Sequence, residues 1–205
     1  MPWGLQRFQE TGRSHFATFS CYHRQQLFTA DSAKRTFERA LERVRRSFGL
    51  QVYAYVVMPE HIHLLVSEPE RGLLADALKS LKQGVSRRLV GEAGAPFKPS
   101  FGLSGDSSGD FSQHFWQKRY YDFNVRNYRQ FVEKLRYIHR NPVKRGLCER
   151  PEDWEWSSFR QYATRCEGRV EIECEWTARR RERAAGTLCP AVELPHSSQK
   201  MCLVP

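Results

Sequence analysis

Two histidines one residue apart, His61 and His63, are the first place where side-chain type and spacing suggest chemistry. In a strand, side chains at i and i+2 leave the same face. Both imidazoles then emerge together, with Ile62 turned toward the opposite, core side. Their Cα atoms stand roughly 6–7 Å apart, close enough for two imidazoles to chelate one divalent ion. The same triplet can equally be a pair of half-exposed strand histidines without a ligand. Further on, Tyr128, Phe131, Val132, Leu135 and Ile138 recur at spacings of three and four. That pattern predicts a helix over about 127–141, stopped by Pro142, with Tyr128 on its buried stripe. Tyr137 does not belong to the stripe. At about 100° per residue it points roughly 160° away from the stripe's centre. Gln130, Lys134 and Asn141 share its side, with Asn141 one turn beyond it.

A tyrosine on a polar face can be an ordinary surface aromatic, or it can be a nucleophile. Beside two strand histidines the second reading gains coherence. A metal held by His61, His63 and Asn141 acts as a Lewis acid on a phosphate, and imidazole with an amide oxygen suits Mg²⁺ or Mn²⁺. Tyr137 then attacks phosphorus and splits one transfer into two reversible ones through a phosphotyrosine. A rival hydrolase would use Glu60 as base and water as nucleophile, but in a continuous strand Glu60 faces away from His61 and His63.

The elements that must position these groups are legible in outline. Residues 14–22 alternate and read as a strand. Asp31 is the expected N-cap of a helix reaching Phe48, with Phe37, Leu41, Val44 and Phe48 on one face and Gly49 at its C-terminal cap. Gln51–Met58 and His61–Ser67 are expected as neighbouring strands, bent apart at Pro59-Glu60. A second helix spans about Leu73–Val90, with Leu74, Leu78, Leu81, Val85 and Leu89 facing inward. Residues 91–113 are rich in glycine, proline and serine and form an expected flexible insertion. Phe115–Val125 reads as the last strand. This order implies an α+β, ferredoxin-like sandwich: an antiparallel sheet with helices packed on one face. It would occupy residues 1–165, followed over 166–205 by a polar, weakly ordered tail.

Composition sets the partner class. Lys and Arg number 33 against 23 Asp and Glu, a net charge of +10, and aromatic residues make up 13% of the 205. That excess favours a polyanion. Lys82, Arg87, Arg88, Lys118, Arg119, Arg126, Arg140, Lys144 and Arg145 are candidate contacts to a phosphate backbone. Trp116, Tyr120, Tyr121 and Phe123 are candidate stacking platforms for unpaired bases. The six cysteines form no CxxC pair and are expected as free thiols. No apolar run is long enough to span a membrane, and the N-terminus lacks a signal-peptide layout, so a cytoplasmic protein is expected.

The segment YVVMPEHIHLLVSEP resembles the HUH motif of single-tyrosine transposases. LRYIHRNPVKRGL, followed by PEDWEWSSFRQY, resembles the REP-associated tyrosine transposases, as do GRSHFATFSCYHRQQLF and FWQKRYYDFNVRN. The resemblance covers about residues 10–165, interrupted by the insertion. It implies a ferredoxin-like fold that cleaves and rejoins single-stranded DNA near hairpins, leaving a 5′-phosphotyrosine and a free 3′-OH. It places His61 and His63 on the metal-binding pair, Tyr137 on the nucleophile and Asn141 on the amide that completes the site. In related insertion-sequence enzymes that amide is usually a glutamine. The expected partner is single-stranded DNA with hairpins, and the expected assembly a monomer or homodimer. A hairpin-binding protein without catalysis is the alternative.

Overall fold

A computed structural model describes residues 14–92, 115–174 and 177. Its elements are β1 (Ser14–Ser20), α1 (Asp31–Phe48), β2 (Val52–Val57), β3 (His61–Ser67), α2 (Leu74–Glu92), β4 (Tyr121–Val125), α3 (Tyr128–Lys144) and α4 (Phe159–Thr164). The strands pair antiparallel in the order β2-β3-β1-β4. This is the expected ferredoxin-like α+β sandwich.

Alternation along the strands sorts two cores. Ala17, Phe19, Ile62 and Leu64 point to one face and are covered by α1 and α2 through Phe37, Leu41, Leu78 and Leu81. Phe16, Val56, Met58 and Leu65 point to the other, where Leu135 and Ile138 of α3 cover them. The expectation of helices on one face therefore holds for α1 and α2, while α3 lies on the other. The cause is visible in β2 and β3, whose consecutive apolar residues bury both faces.

Several boundaries differ from expectation. Ala30, not Asp31, occupies the N-cap of α1; Asp31 opens the helix and its carboxylate accepts from Lys34 Nζ at 3.0 Å. Gly49 does close α1, with φ of 65°. Pro142 does not stop α3. It sits in the last turn, and the helix ends at Lys144 in a Schellman motif: Gly146 N–H bonds to Val143 O and Leu147 N–H to Pro142 O, with Gly146 at φ 66°. Tyr128 is not buried but 67% exposed, and of the stripe only Leu135 and Ile138 are buried. Residues 115–120 are irregular: the Trp116 indole is buried and its Nε1 donates to Lys82 O at 2.9 Å. Trp116 is thus a core ring and not a stacking platform.

Past α3 the chain returns to the open edge of β2. Val57 N–H donates to Trp156 O and Ser158 N–H to Tyr55 O, so the strand's outer backbone groups are satisfied. Residues 166–174, expected as the start of a weakly ordered tail, instead pack onto the domain. Val170 and Ile172 are each 1% exposed, and Glu173 N–H donates to Val52 O. Most of the insertion (93–113) and the chain from 178 onward lie outside the described residues. Cys21, Cys148, Cys166 and Cys174 are free. No described helix is long and apolar enough to cross a membrane.

One buried charge cluster ties the sheet to its loops. His15 on β1 is sealed from solvent, with Nδ1 3.0 Å from Asp122 and Nε2 3.3 Å from Glu68. Burial opposes its protonation, but hydrogen bonds and charge from Asp122 and then Glu68 outweigh it, and its pKa is raised above the ordinary histidine value. The stabilisation is fully present below the unfolded pKa of about 6.5 and is lost as pH rises through the higher folded value. His15→Gln is expected to cost on the order of 2 kcal/mol near pH 6, shrinking toward pH 9. Urea denaturation of both proteins across that range checks it; a gap that widens with pH would show that the neutral ring supplies the stability.

Candidate active site

The sheet face under α3 carries the chemistry. His61 and His63 leave β3 on this side, and Ile62, fully buried, lies in the opposite core. Register supplies their neighbours: Thr18 of β1 stands across from His63 and Ser20 across from His61. The Thr18 hydroxyl lies 2.7 Å from His63 Nδ1. Glu60 Oε1 lies 3.2 Å from His61 Nδ1, near enough for charge attraction though short of hydrogen-bond alignment. The two Nε2 atoms face one another at 3.0 Å.

Electrostatics keep both rings neutral near pH 7. Burial, and then the neighbouring His61, push the His63 pKa down to about 3. Burial also lowers that of His61, against the opposing pull of Glu60. With the ring protons on Nδ1, toward Thr18 and Glu60, two lone pairs meet across 3.0 Å. A cation shared by the two nitrogens would relieve that repulsion, while a ring proton on one Nε2 would turn the same contact into a hydrogen bond.

Asn141 adds a third polar group. It is 5% exposed; its Nδ2 lies 3.2 Å from His63 Nε2 and its Oδ1 is buried without a hydrogen-bond partner. Rotating the amide by half a turn exchanges the two atoms and brings the orphaned oxygen to the imidazoles. Two neutral imidazoles and an amide oxygen fit a small divalent ion. Among the described residues no three His, Cys, Asp or Glu side chains gather into such a group. The fit depends on the amide.

Tyr137, 39% exposed, forms the rim of the same hollow. Its ring meets those of His63 and Phe16 edge-on, with centroids 5.1 and 5.8 Å away. Lys144 Nζ stands 5.7 Å from the centre of the tyrosine ring. The cavity encloses about 450 Å³ and is also lined by Arg24, Lys134 and Arg145. Arg145 Nη2 bonds to Glu60 Oε1 at 2.6 Å, joining the end of α3 to the entry of β3. Glu60 therefore does approach His61, because it precedes the strand and escapes its alternation.

Of the sequence-derived cations, Arg145 lines the cavity, while Lys144 stands over the Tyr137 ring at its rim and with Arg140 lines an adjoining hollow on α3. Lys82, Arg87 and Arg88 lie on α2, across the sheet, where Lys82 Nζ donates to Gln117 O. Lys118 and Arg119 sit in the irregular approach to β4, and Arg126 between β4 and α3. Lys134, read from the sequence on Tyr137's side of the helix, lines the cavity, whereas sequence reasoning missed Thr18 and Arg24 there. Of these two, Thr18 had a signal: Thr18-x-Ser20 places polar side chains on one strand face, yet strand register alone sets them opposite the histidines.

The chain belongs to the IS200-like transposase family: the model described as "Transposase IS200 like" matches residues 11–141. It is 25% identical over 160 residues to the REP-associated tyrosine transposase of Escherichia coli K12, covering 78% of this chain and 84% of that one. A Haemophilus influenzae protein provisionally given the same name is 28% identical over 149 residues, 72% of this chain and 80% of the other. Among solved structures, a REP-associated tyrosine transposase bound to a REP hairpin superposes with a TM-score of 0.61. That match is 22% identical and covers 84% of this chain and 92% of that chain, a likeness of fold.

Proposed function

We propose that this protein cleaves and rejoins single-stranded DNA beside REP-like hairpins, with Tyr137 as nucleophile. The observation that carries the reading is the meeting of His61, His63, Asn141 and Tyr137 in one cavity, from two elements far apart in sequence. The hairpin partner is carried over from the solved relative.

The tyrosine oxygen bonds to phosphorus, the bond from phosphorus to the 3′ oxygen breaks, and the phenol's proton passes in net balance to that oxygen. The products are a 5′-phosphotyrosine and a 3′-OH. One phosphodiester is exchanged for another, so a 3′-OH can reverse the step without an external energy source. His61, His63 and Asn141 would hold Mg²⁺ or Mn²⁺, which supplies Lewis acidity to the scissile phosphate. Thr18 holds the His63 ring by hydrogen bond and the Glu60 charge beside His61 Nδ1 favours the ring proton there, so both Nε2 atoms can face the cavity. Lys134, Lys144 and Arg145 bring positive charge to the phosphate.

The test is a gel assay on hairpin-flanked single-stranded DNA. Wild-type protein is expected to form a denaturation-resistant adduct with Mn²⁺ or Mg²⁺, and to lose it with EDTA. Hairpin binding without any adduct across a library of flanking sequences would favour a binding protein that does not cleave.

A further inference from the structure

Tyr128 is the most exposed large aromatic side chain among the described residues, at 67%. It lies at one end of a shallow hollow on the outer face of α3, lined also by Arg129, Arg136, Tyr137, Arg140 and Lys144. That hollow meets the active-site cavity at Lys134 and Tyr137, which line both. The charge along it is mainly positive: five Arg and Lys side chains line it beside one carboxylate, Glu133, which stands 3.8 Å from Lys134 Nζ. Arg136, Arg140 and Lys144 stand at successive i, i+4 positions, where like charges destabilise a helix. Among the described residues no carboxylate lies within ion-pair distance of Arg129, Arg136, Arg140 or Lys144. Neither packing nor folding stability accounts for this row.

We infer that the outer face of α3 is the track for the unpaired strand adjoining the scissile phosphate, with Arg136, Arg140 and Lys144 on its phosphates and Tyr128 stacked on a base. Charge complementarity selects a polyanion, and continuity with Tyr137 selects the strand being cleaved. Tyr128 selects unpaired bases, since only an unpaired base offers a free π-face to a side ring. Tyr137 lies nine positions after Tyr128, a helical rise of about 13.5 Å, which is the reach of roughly two to three nucleotides. The inference rests on the reading of Tyr137 as the cleavage site only for the track's direction, not for its affinity.

The test uses the full chain carrying Tyr137→Phe, so that DNA is bound and not consumed. Fluorescence anisotropy is read with two probes: a fluorescein-labelled hairpin bearing an oligo-dT tail, and the same hairpin blunt. Tyr128→Ala is expected to weaken binding of the tailed probe about tenfold and leave the blunt probe unchanged, with Tyr128→Trp restoring affinity. Arg136→Ala with Arg140→Ala is expected to weaken the tailed probe and to reduce its salt dependence by about 0.7 for each phosphate no longer neutralised. Equal losses on the blunt hairpin would reassign the face to duplex DNA and overturn the inference. No loss on the tailed probe would remove DNA from this face altogether. Because binding is read separately from adduct formation, a wild type that makes no adduct yet depends on Tyr128 for the tail refutes the cleavage reading alone.

Discussion

Replacing Tyr137 with phenylalanine is expected to abolish the covalent DNA adduct, lowering its rate by a factor on the order of 10⁴ or more, while leaving fold, metal and DNA binding intact. The substitution removes one oxygen atom. The ring keeps its edge-on contacts with Phe16 and His63, and the phenol is on the cavity rim, not in the core. Stability should therefore change by less than about 0.5 kcal/mol. Mn²⁺ affinity should also hold, since no ligand atom is lost. His63→Ala is the complementary loss: adduct and Mn²⁺ binding fall together, with the tyrosine still present. An adduct of unchanged yield from Tyr137→Phe would require another nucleophile and would end the reading of this site.

The sequence revealed these residues unevenly, and the reasons are physical. His61 and His63 were legible because strand alternation is local and fixes their common side. Tyr137 was legible because a helical stripe of apolar residues excludes it. The placement of α3 was not read: the expectation put the helices on one face, although consecutive apolar residues in β2 and β3 suit a sheet covered on both. The fate of Tyr128 was not legible. It fits the stripe's period, but which residues of a stripe are covered depends on packing between elements, and no local pattern records that. Pro142 likewise reads as a stop, yet in a last turn it removes only one hydrogen bond, and the Schellman closure at Gly146 satisfies the Pro142 and Val143 carbonyls. Thr18 reaches the site through strand register and Arg24 through a loop after β1, both set by packing between elements distant in sequence.

Glu60 separates tyrosine chemistry from water chemistry. A metal-dependent hydrolase at the same histidines would need a carboxylate base facing the open cavity. The Glu60 carboxylate is instead buried, bonded to Arg145 at 2.6 Å and placed at the Nδ1 side of His61, behind the Nε2 atom that faces His63. From there it can orient the imidazole and hold its proton on Nδ1, but it does not stand where a water attacking phosphorus would lie. Glu60→Gln keeps an oxygen acceptor beside Nδ1 and is expected to retain adduct formation within about tenfold. Glu60→Ala removes the acceptor and the tie to Arg145, and Mn²⁺ affinity should fall about 10- to 100-fold. Excess Mn²⁺ should then recover most of the adduct, which a lost base could not allow. Arg145, half exposed, remains solvated in either variant, so folding stability should change little. Calorimetric Mn²⁺ titration beside the adduct assay decides the matter: an inactive Glu60→Gln that binds Mn²⁺ normally would make Glu60 the base and water the nucleophile.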